Sequence, residues 1–262
     1  MYGGSVEEFA NLMNNKAKDL GLENTHYVTP HGLDNPEHYT TAYELAKLAD
    51  YALTNEKFAK VVGTKNYTVT INGHSKSITN TNELLGYLEG VNGVKTGFTN
   101  NAGRCLVTSV SRNGFNIITV VLQADTKKFR TSDSIKLIQY VYENYEPVDV
   151  KAIVDDKFTE WKRINENRIY INKAKQDNVK LYKTDLAHNT IPVKKTEKDN
   201  IDIEVKCIYY FEAPLEANKP VGTLKLTLNN KTIDMVEVKS KNQVQKRQII
   251  DYLNLFAIQL FS

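Results

Sequence analysis

The sequence predicts an α+β fold: helices on an antiparallel sheet, then a small all-β domain, then a C-terminal amphipathic helix. Three patterns in the 262 residues carry this. Apolar residues recur at helical spacing around 5–20, 41–53 and 131–145. Three strand-like runs, 91–97, 104–111 and 115–123, lie between the second and third helices, with a hairpin turn between the last two. Beyond Pro147 the period shortens to the alternation of half-buried strands.

Each element has a local cause. Ser5 is a good N-cap with Glu8 three residues on, a capping box; Val6, Phe9, Ala10, Met13 and Ala17 form one apolar face, and Gly21 ends the helix. Residues 24–40 read as a loop, with Pro30, Gly32 and Pro36. After Thr40-Thr41, Leu45, Leu48, Ala49 and Leu53 mark a second helix. Residues 66–71 and 75–79 read as a hairpin about Asn72-Gly73, and Asn113-Gly114 turns 104–111 into 115–123. The run 115–123 is almost continuously apolar, which predicts a strand covered on both faces. Ile135, Ile138, Val141 and Tyr142 are the expected inner side of the third helix.

The expected division is 1–147 for the first domain, 148–240 for an all-β domain and 241–262 for the tail helix. In the second part Ile201, Ile203, Val205, Cys207 and Tyr209 alternate with mostly polar residues, as do Leu224, Leu226 and Leu228, and Asn229-Asn230 begins a turn.

Composition excludes several classes. The net charge is +3, with Lys and Arg spread along the chain, so there is no nucleic-acid footprint. Two cysteines, Cys105 and Cys207, make neither a disulfide framework nor a CxxC pair. No signal peptide opens the chain, and no apolar run reaches the length of a membrane span. His26, His31, His38, Asp34 and Glu37 cluster in one loop, but their irregular spacing fits no ligand frame, so no metal and no cofactor is expected.

The chemistry-bearing segment is Gly93-Val94-Lys95-Thr96-Gly97-Phe98-Thr99. Lys-Thr-Gly alone is a weak signal. Here it ends a strand, a turn follows at Asn100–Gly103, and two apolar strands come next, which is the setting of the Lys-Thr-Gly strand in penicillin-recognising serine enzymes. Together with Leu22–Tyr27, Gly32-Leu33-Asp34, His38–Ala46, Asn80-Thr81-Asn82 and Leu84-Leu85, it makes the chain resemble the low-molecular-mass penicillin-binding proteins that are D-alanyl-D-alanine carboxypeptidases. The resemblance covers nearly the whole chain and is weaker in the second domain. It implies part of a β-lactamase/transpeptidase-like domain followed by the family's small β-domain. It implies that Lys95 serves acyl transfer, that the Phe98 backbone N–H is an oxyanion donor, and that Thr96, Gly97, Thr99 and Arg130 bind substrate, the Arg130 guanidinium taking the substrate's terminal carboxylate. The implied ligands are the peptidoglycan stem peptide and β-lactams, and the implied location is extracytoplasmic.

The family's nucleophile lies in Ser-x-x-Lys, followed by Ser-x-Asn, both ahead of Lys-Thr-Gly. This sequence contains no Ser-x-x-Lys, and its two Ser-x-Asn triplets, from Ser111 and Ser240, follow Lys95. The expectation is an amino-terminally truncated enzyme that is inactive by itself. Two rivals are a β-lactamase relative, disfavoured by the second domain and the Tyr39–Ala46 segment, and a non-catalytic wall- or protein-binding module. At the tail, Ile249, Leu253, Phe256 and Leu260 share a helical face after Lys239, Lys241, Lys246 and Arg247, which predicts an interfacial helix on anionic lipid.

Overall fold

The computed structural model describes residues 4–176 and 178–261. It divides into two compact units, Met1–Glu143 and Asn144–Ser262.

The first unit opens with α1 (Val6–Asp19), where the Ser5 hydroxyl accepts from the Glu8 N–H and the Glu8 carboxylate accepts from the Ser5 N–H, completing the capping box. A loop leads to α2 (Ala42–Leu53) and α3 (Glu56–Val62), capped by the Thr41 and Asn55 side chains. A hairpin follows, β1 (Asn66–Ile71) with β2 (His74–Thr79), then the sheet strands β3 (Val91–Thr99), β4 (Gly103–Arg112) and β5 (Phe115–Ala124), and α4 (Lys127–Asn144). Both hairpin turns have positive φ at each central residue, 50° and 79° at Asn72-Gly73 and 50° and 77° at Asn113-Gly114. Asn and Gly tolerate that region, which matches the twist of the paired strands.

The sheet runs β3-β4-β5, antiparallel throughout, so β3 and β5 are both edges. Alternation along β4 feeds two cores. Leu106 and Val110 pack with Leu84 and with Ile138 of α4. Val107 joins Val94 of β3, Ala49 of α2 and Val62 of α3. The expectation that 115–123 is covered on both faces is not met: Thr119 alone is buried in β5 and its apolar residues are mostly half-exposed. Among the described residues its one pairing neighbour is β4, and both of its faces stay partly open.

The second unit begins with β6 (Tyr145–Asp149) and α5 (Val150–Asn165). The helix lies inside the region expected to be all-β. Asp149 caps it by accepting from the Ala152 N–H, and Val150, Val154 and Phe158, four apart, form its buried stripe. Short strands follow: β7 (Tyr170–Asn172), β8 (Leu181–Lys183), β9 (Thr190–Lys194), β10 (Ile201–Cys207), β11 (Tyr210–Glu212), β12 (Pro220–Leu228) and β13 (Lys231–Ser240). The main sheet runs β10-β12-β13-β8. Leu224, Leu226, Val236 and Val238 share a core with the α5 stripe. The alternation read through Tyr209 stops at Cys207; Tyr209 is exposed.

The tail helix α6 is Ile249–Phe261, shorter than the expected 241–262. Residues 241–248 are tied to the second unit: Val244 is fully buried and exchanges backbone hydrogen bonds with Leu215, and the Arg247 N–H donates to the Lys173 carbonyl. Ile249, Ile250, Leu253 and Phe256 are all exposed. Among the described residues no helix is long and apolar enough to cross a membrane.

Candidate active site

The Lys95–Thr99 half of β3 stands at the sheet edge between two cavities of the first unit. Lys95, Thr96, Gly97 and Phe98 line both. The smaller, about 530 Å³, also takes in Thr79–Thr81, Glu83, Arg104, Lys127 and Arg130. The larger, about 880 Å³, is closed by the loop His31–Thr40 and the turn after β3. Both lie in the size range of small-molecule sites.

The strand is held by its neighbours while its edge stays open. Antiparallel pairing sets Gly97 opposite Cys105 and Phe98 opposite Arg104. The buried Asn82 donates its side-chain amide to the Gly93 carbonyl at 2.9 Å, and Asn80 donates to the Val62 and Thr64 carbonyls. These bonds fix the segment carrying Thr81, whose hydroxyl shares a 2.6 Å hydrogen bond with that of Thr96. The Thr99 hydroxyl accepts from the Ala102 N–H at 3.0 Å, closing the turn. Lys95 is exposed and its ammonium donates to the Thr96 carbonyl at 2.7 Å. Phe98 is exposed, and the Arg104 guanidinium lies 3.6 Å from its ring centroid. A Cβ on Gly97 would meet only the Cys105 Cβ, at an ordinary 3.6 Å. The fold does not itself require glycine there.

Arg130 reaches the same cavity from α4. Arg130, Ser134 and Ile138 are the buried residues of that helix and recur every four positions, so the stripe that packs on the sheet points a guanidinium inward at its first turn. Thr126 starts the helix, its hydroxyl accepting from the Phe129 N–H. Arg130 is 3% exposed, and its Nε and Nη2 have no hydrogen-bond partner. Its Nη2 lies 3.5 Å from Glu83 Oε2, an ion pair without a hydrogen bond. A buried guanidinium with unused donors is matched to an anion, best a carboxylate taken by its fork.

The loop over the larger cavity is pinned at its root by Glu44. That buried carboxylate accepts from the Asn24 N–H and from the Thr25 hydroxyl. Burial pushes its pKa up, but these hydrogen bonds outweigh it and leave the net shift downward. The clustered histidines serve the loop as well. His38 Nδ1 accepts from the Val28 N–H and His31 Nδ1 from the Leu33 N–H. Burial, with His26 and His31 nearby, holds the His38 pKa below its usual value. Asp34 accepts from the Asn101 N–H at 3.4 Å, joining the loop to the β3–β4 turn.

The structure thus brings Lys95, Thr96, Gly97, Phe98 and Arg130 to one cavity, with Thr99 on the larger one. Sequence reasoning gave Thr81 no role although Asn80-Thr81-Asn82 was part of the resemblance, and it missed Glu83, Arg104 and Lys127, which only the fold assembles.

The chain is similar to known proteins in both of its parts. Residues 1–126 match the family model for D-alanyl-D-alanine carboxypeptidase, and residues 162–246 match that for the C-terminal domain of penicillin-binding protein 5. The chain is 33% identical over 254 residues to D-alanyl-D-alanine carboxypeptidase DacF of Bacillus subtilis, covering 95% of this chain and 62% of the relative. It is 30% identical over 271 residues to D-alanyl-D-alanine carboxypeptidase DacA of Haemophilus influenzae, covering 99% of this chain and 64% of that one. It therefore spans less than two thirds of the length of these curated relatives. Among solved structures, penicillin-binding protein 5 from Haemophilus influenzae superposes with a TM-score of 0.68 at 26% identity, covering 93% of this chain and 67% of that one.

Proposed function

The chain belongs to the D-alanyl-D-alanine carboxypeptidase family, and from that premise we propose that its site takes the free C-terminal end of a peptidoglycan stem peptide for serine-type removal of the terminal D-alanine. The observation that carries this reading is the meeting, in one cavity, of the open edge of β3 with the buried guanidinium of Arg130. The edge pairs with the substrate backbone, as extended peptides add to exposed strands. Gly97 leaves the approach unobstructed, which explains a glycine where the fold accepts alanine. Arg130 takes the terminal carboxylate, with the Thr96 and Thr99 hydroxyls beside it. The Phe98 N–H donates to the oxyanion of the tetrahedral intermediate, and the Lys95 ammonium supplies positive charge as that oxyanion forms. β-Lactams carry a carboxylate beside a reactive amide and occupy the same site.

Acyl transfer needs an activated serine. The 262 residues contain no Ser-x-x-Lys. The polypeptide 1–262 by itself is therefore a binding half-site, and no serine adduct forms on it with a β-lactam. Its place of work is extracytoplasmic, at an anionic membrane surface, held there by the exposed apolar residues of α6 after a basic stretch.

Titration of residues 1–262 with an N-acetylated peptide ending in D-Ala-D-Ala, followed by backbone amide NMR, tests the reading. Shifts at Thr96, Gly97, Phe98 and Arg130 are expected, with affinity falling by tenfold or more, about 1.4 kcal/mol, when the C terminus is amidated. Equal affinity of acid and amide overturns it.

A further inference from the structure

The cavity beside Lys95–Phe98 has a charge balance that one carboxylate does not meet. Lys95, Arg104, Lys127 and Arg130 line it, against Glu83 as the one carboxylate among the described lining residues. Glu83 is already engaged, 3.5 Å from Arg130 Nη2 and accepting from the Thr131 hydroxyl at 2.9 Å. Four positive charges set against Glu83 and one bound carboxylate leave a surplus of two.

With Arg130 given to the terminal carboxylate and Lys95 to the oxyanion, the surplus falls on Arg104 and Lys127, neither of which forms an ion pair among the described residues. Arg104 is also held in place. It sits opposite Phe98 in the β3–β4 register, and its guanidinium stacks 3.6 Å from the centroid of the Phe98 ring. A stacked, planar guanidinium keeps its in-plane N–H donors for a ligand and loses little freedom on binding. Lys127 begins α4, three residues ahead of Arg130. A cleft lined by one sign of charge concentrates ligands of the other sign.

The geometry points to a second anion subsite, formed by Arg104 and Lys127, that takes a carboxylate carried by the substrate close to its free C-terminal carboxylate. This rests on the reading of Arg130 given above and names the substrate class more narrowly. Two residues of extended chain reach about 7 Å, a span that a cavity of this volume accommodates. The favoured peptide therefore has an acidic side chain on the residue preceding the terminal D-Ala-D-Ala. Peptides in which that carboxylate is amidated, or replaced by an amine, are disfavoured.

The test is binding of N-acetylated tripeptides ending in D-Ala-D-Ala to residues 1–262 by calorimetry at low and high salt. The first residue is glutamate linked through its α-carbon, glutamine or lysine, and a fourth peptide is the glutamate form with an amidated C terminus. The glutamate peptide is expected to bind about tenfold tighter than the glutamine peptide, with lysine weakest and the preference shrinking at high salt. The double variant Arg104→Gln/Lys127→Gln, checked by circular dichroism for an unchanged fold, is expected to bind the glutamate and glutamine peptides alike. Equal binding of these two by the unsubstituted chain, with amidation of the C terminus still abolishing binding, overturns the second subsite and leaves the first reading intact. A preference that persists in the double variant overturns the assignment to Arg104 and Lys127. Failure of every peptide to bind removes both readings.

Discussion

Replacing Arg130 by methionine should make the first unit more stable and unable to hold its ligand. The guanidinium is 3% exposed, with Nε and Nη2 unpaired. Each buried donor left without a partner costs about 1–3 kcal/mol. The offset comes from Glu83, 3.5 Å away and half exposed at 50%; pairs of that kind return about 0–1 kcal/mol. Methionine is unbranched and adaptable, so it fills the volume of the arginine stem. The expected gain is about 1–4 kcal/mol, as when buried ionic groups are exchanged for apolar ones. For a unit of this size that raises the melting midpoint by roughly 3–10 °C. The single tryptophan of the chain, Trp161, lies in α5 of the second unit. Its fluorescence therefore monitors that unit while circular dichroism follows both. Arg130→Met should raise the transition that Trp161 does not report, leave the tryptophan transition in place, and weaken binding of a D-Ala-D-Ala peptide by about 30-fold or more, the loss expected when one partner of a buried charge pair goes. A lower midpoint for the first unit would show that Arg130 is there for packing. Retained peptide affinity would show that it does not receive the carboxylate.

Three further outcomes follow from the same structure. Gly97→Ala should leave the melting midpoints unchanged to within about 0.5 kcal/mol, because the new Cβ meets only Cys105 at 3.6 Å, yet weaken peptide binding; loss of fold with binding would refute the open-edge reading. Glu44 has a pKa lowered below the usual 4.5, so its stabilisation is full above that value and is lost as pH falls through the folded pKa. The first-unit midpoint should therefore drop in acid below about pH 4.5, and Glu44→Gln should flatten that drop, whereas identical pH profiles would refute the assignment. Deleting 249–262 should abolish co-sedimentation with anionic vesicles at low salt while leaving the buried Val244 and the Trp161 transition untouched; equal binding by the deletion variant would remove α6 as the anchor.

What could be read from the sequence divides along physical lines. Capping at Ser5 and Glu8, and the Asn-Gly turns at 72–73 and 113–114, depend on neighbours within a few residues, and the structure has them where the sequence puts them. The strand Val91–Thr99 was legible for the same reason. Helix α5 was not, although Val150, Val154 and Phe158 mark its stripe. Val150, Ile153 and Val154 favour strands locally, and packing against Leu224 and Val238 in one core overrides that preference. Glu83 lies in the β2–β3 loop, Arg104 in β4 and Lys127 in α4, and they meet only once the strand pairing and α4 are in place. No spacing rule within the chain links them.

Several residues at the cavity carry chemistry that the packing of the first unit does not use. Leu84, Leu106, Val110 and Ile138 each complete the core that contains the others. Asn80 and Asn82 spend their amides on neighbouring carbonyls. Arg130, by contrast, is buried with donors unused, Gly97 stands where alanine fits, and Phe98 lies exposed beneath an arginine that forms no ion pair among the described residues. A sequence whose local choices otherwise agree with its fold departs from that agreement where something else is selected. Here the departures cluster along half of one edge strand and the first turn of one helix.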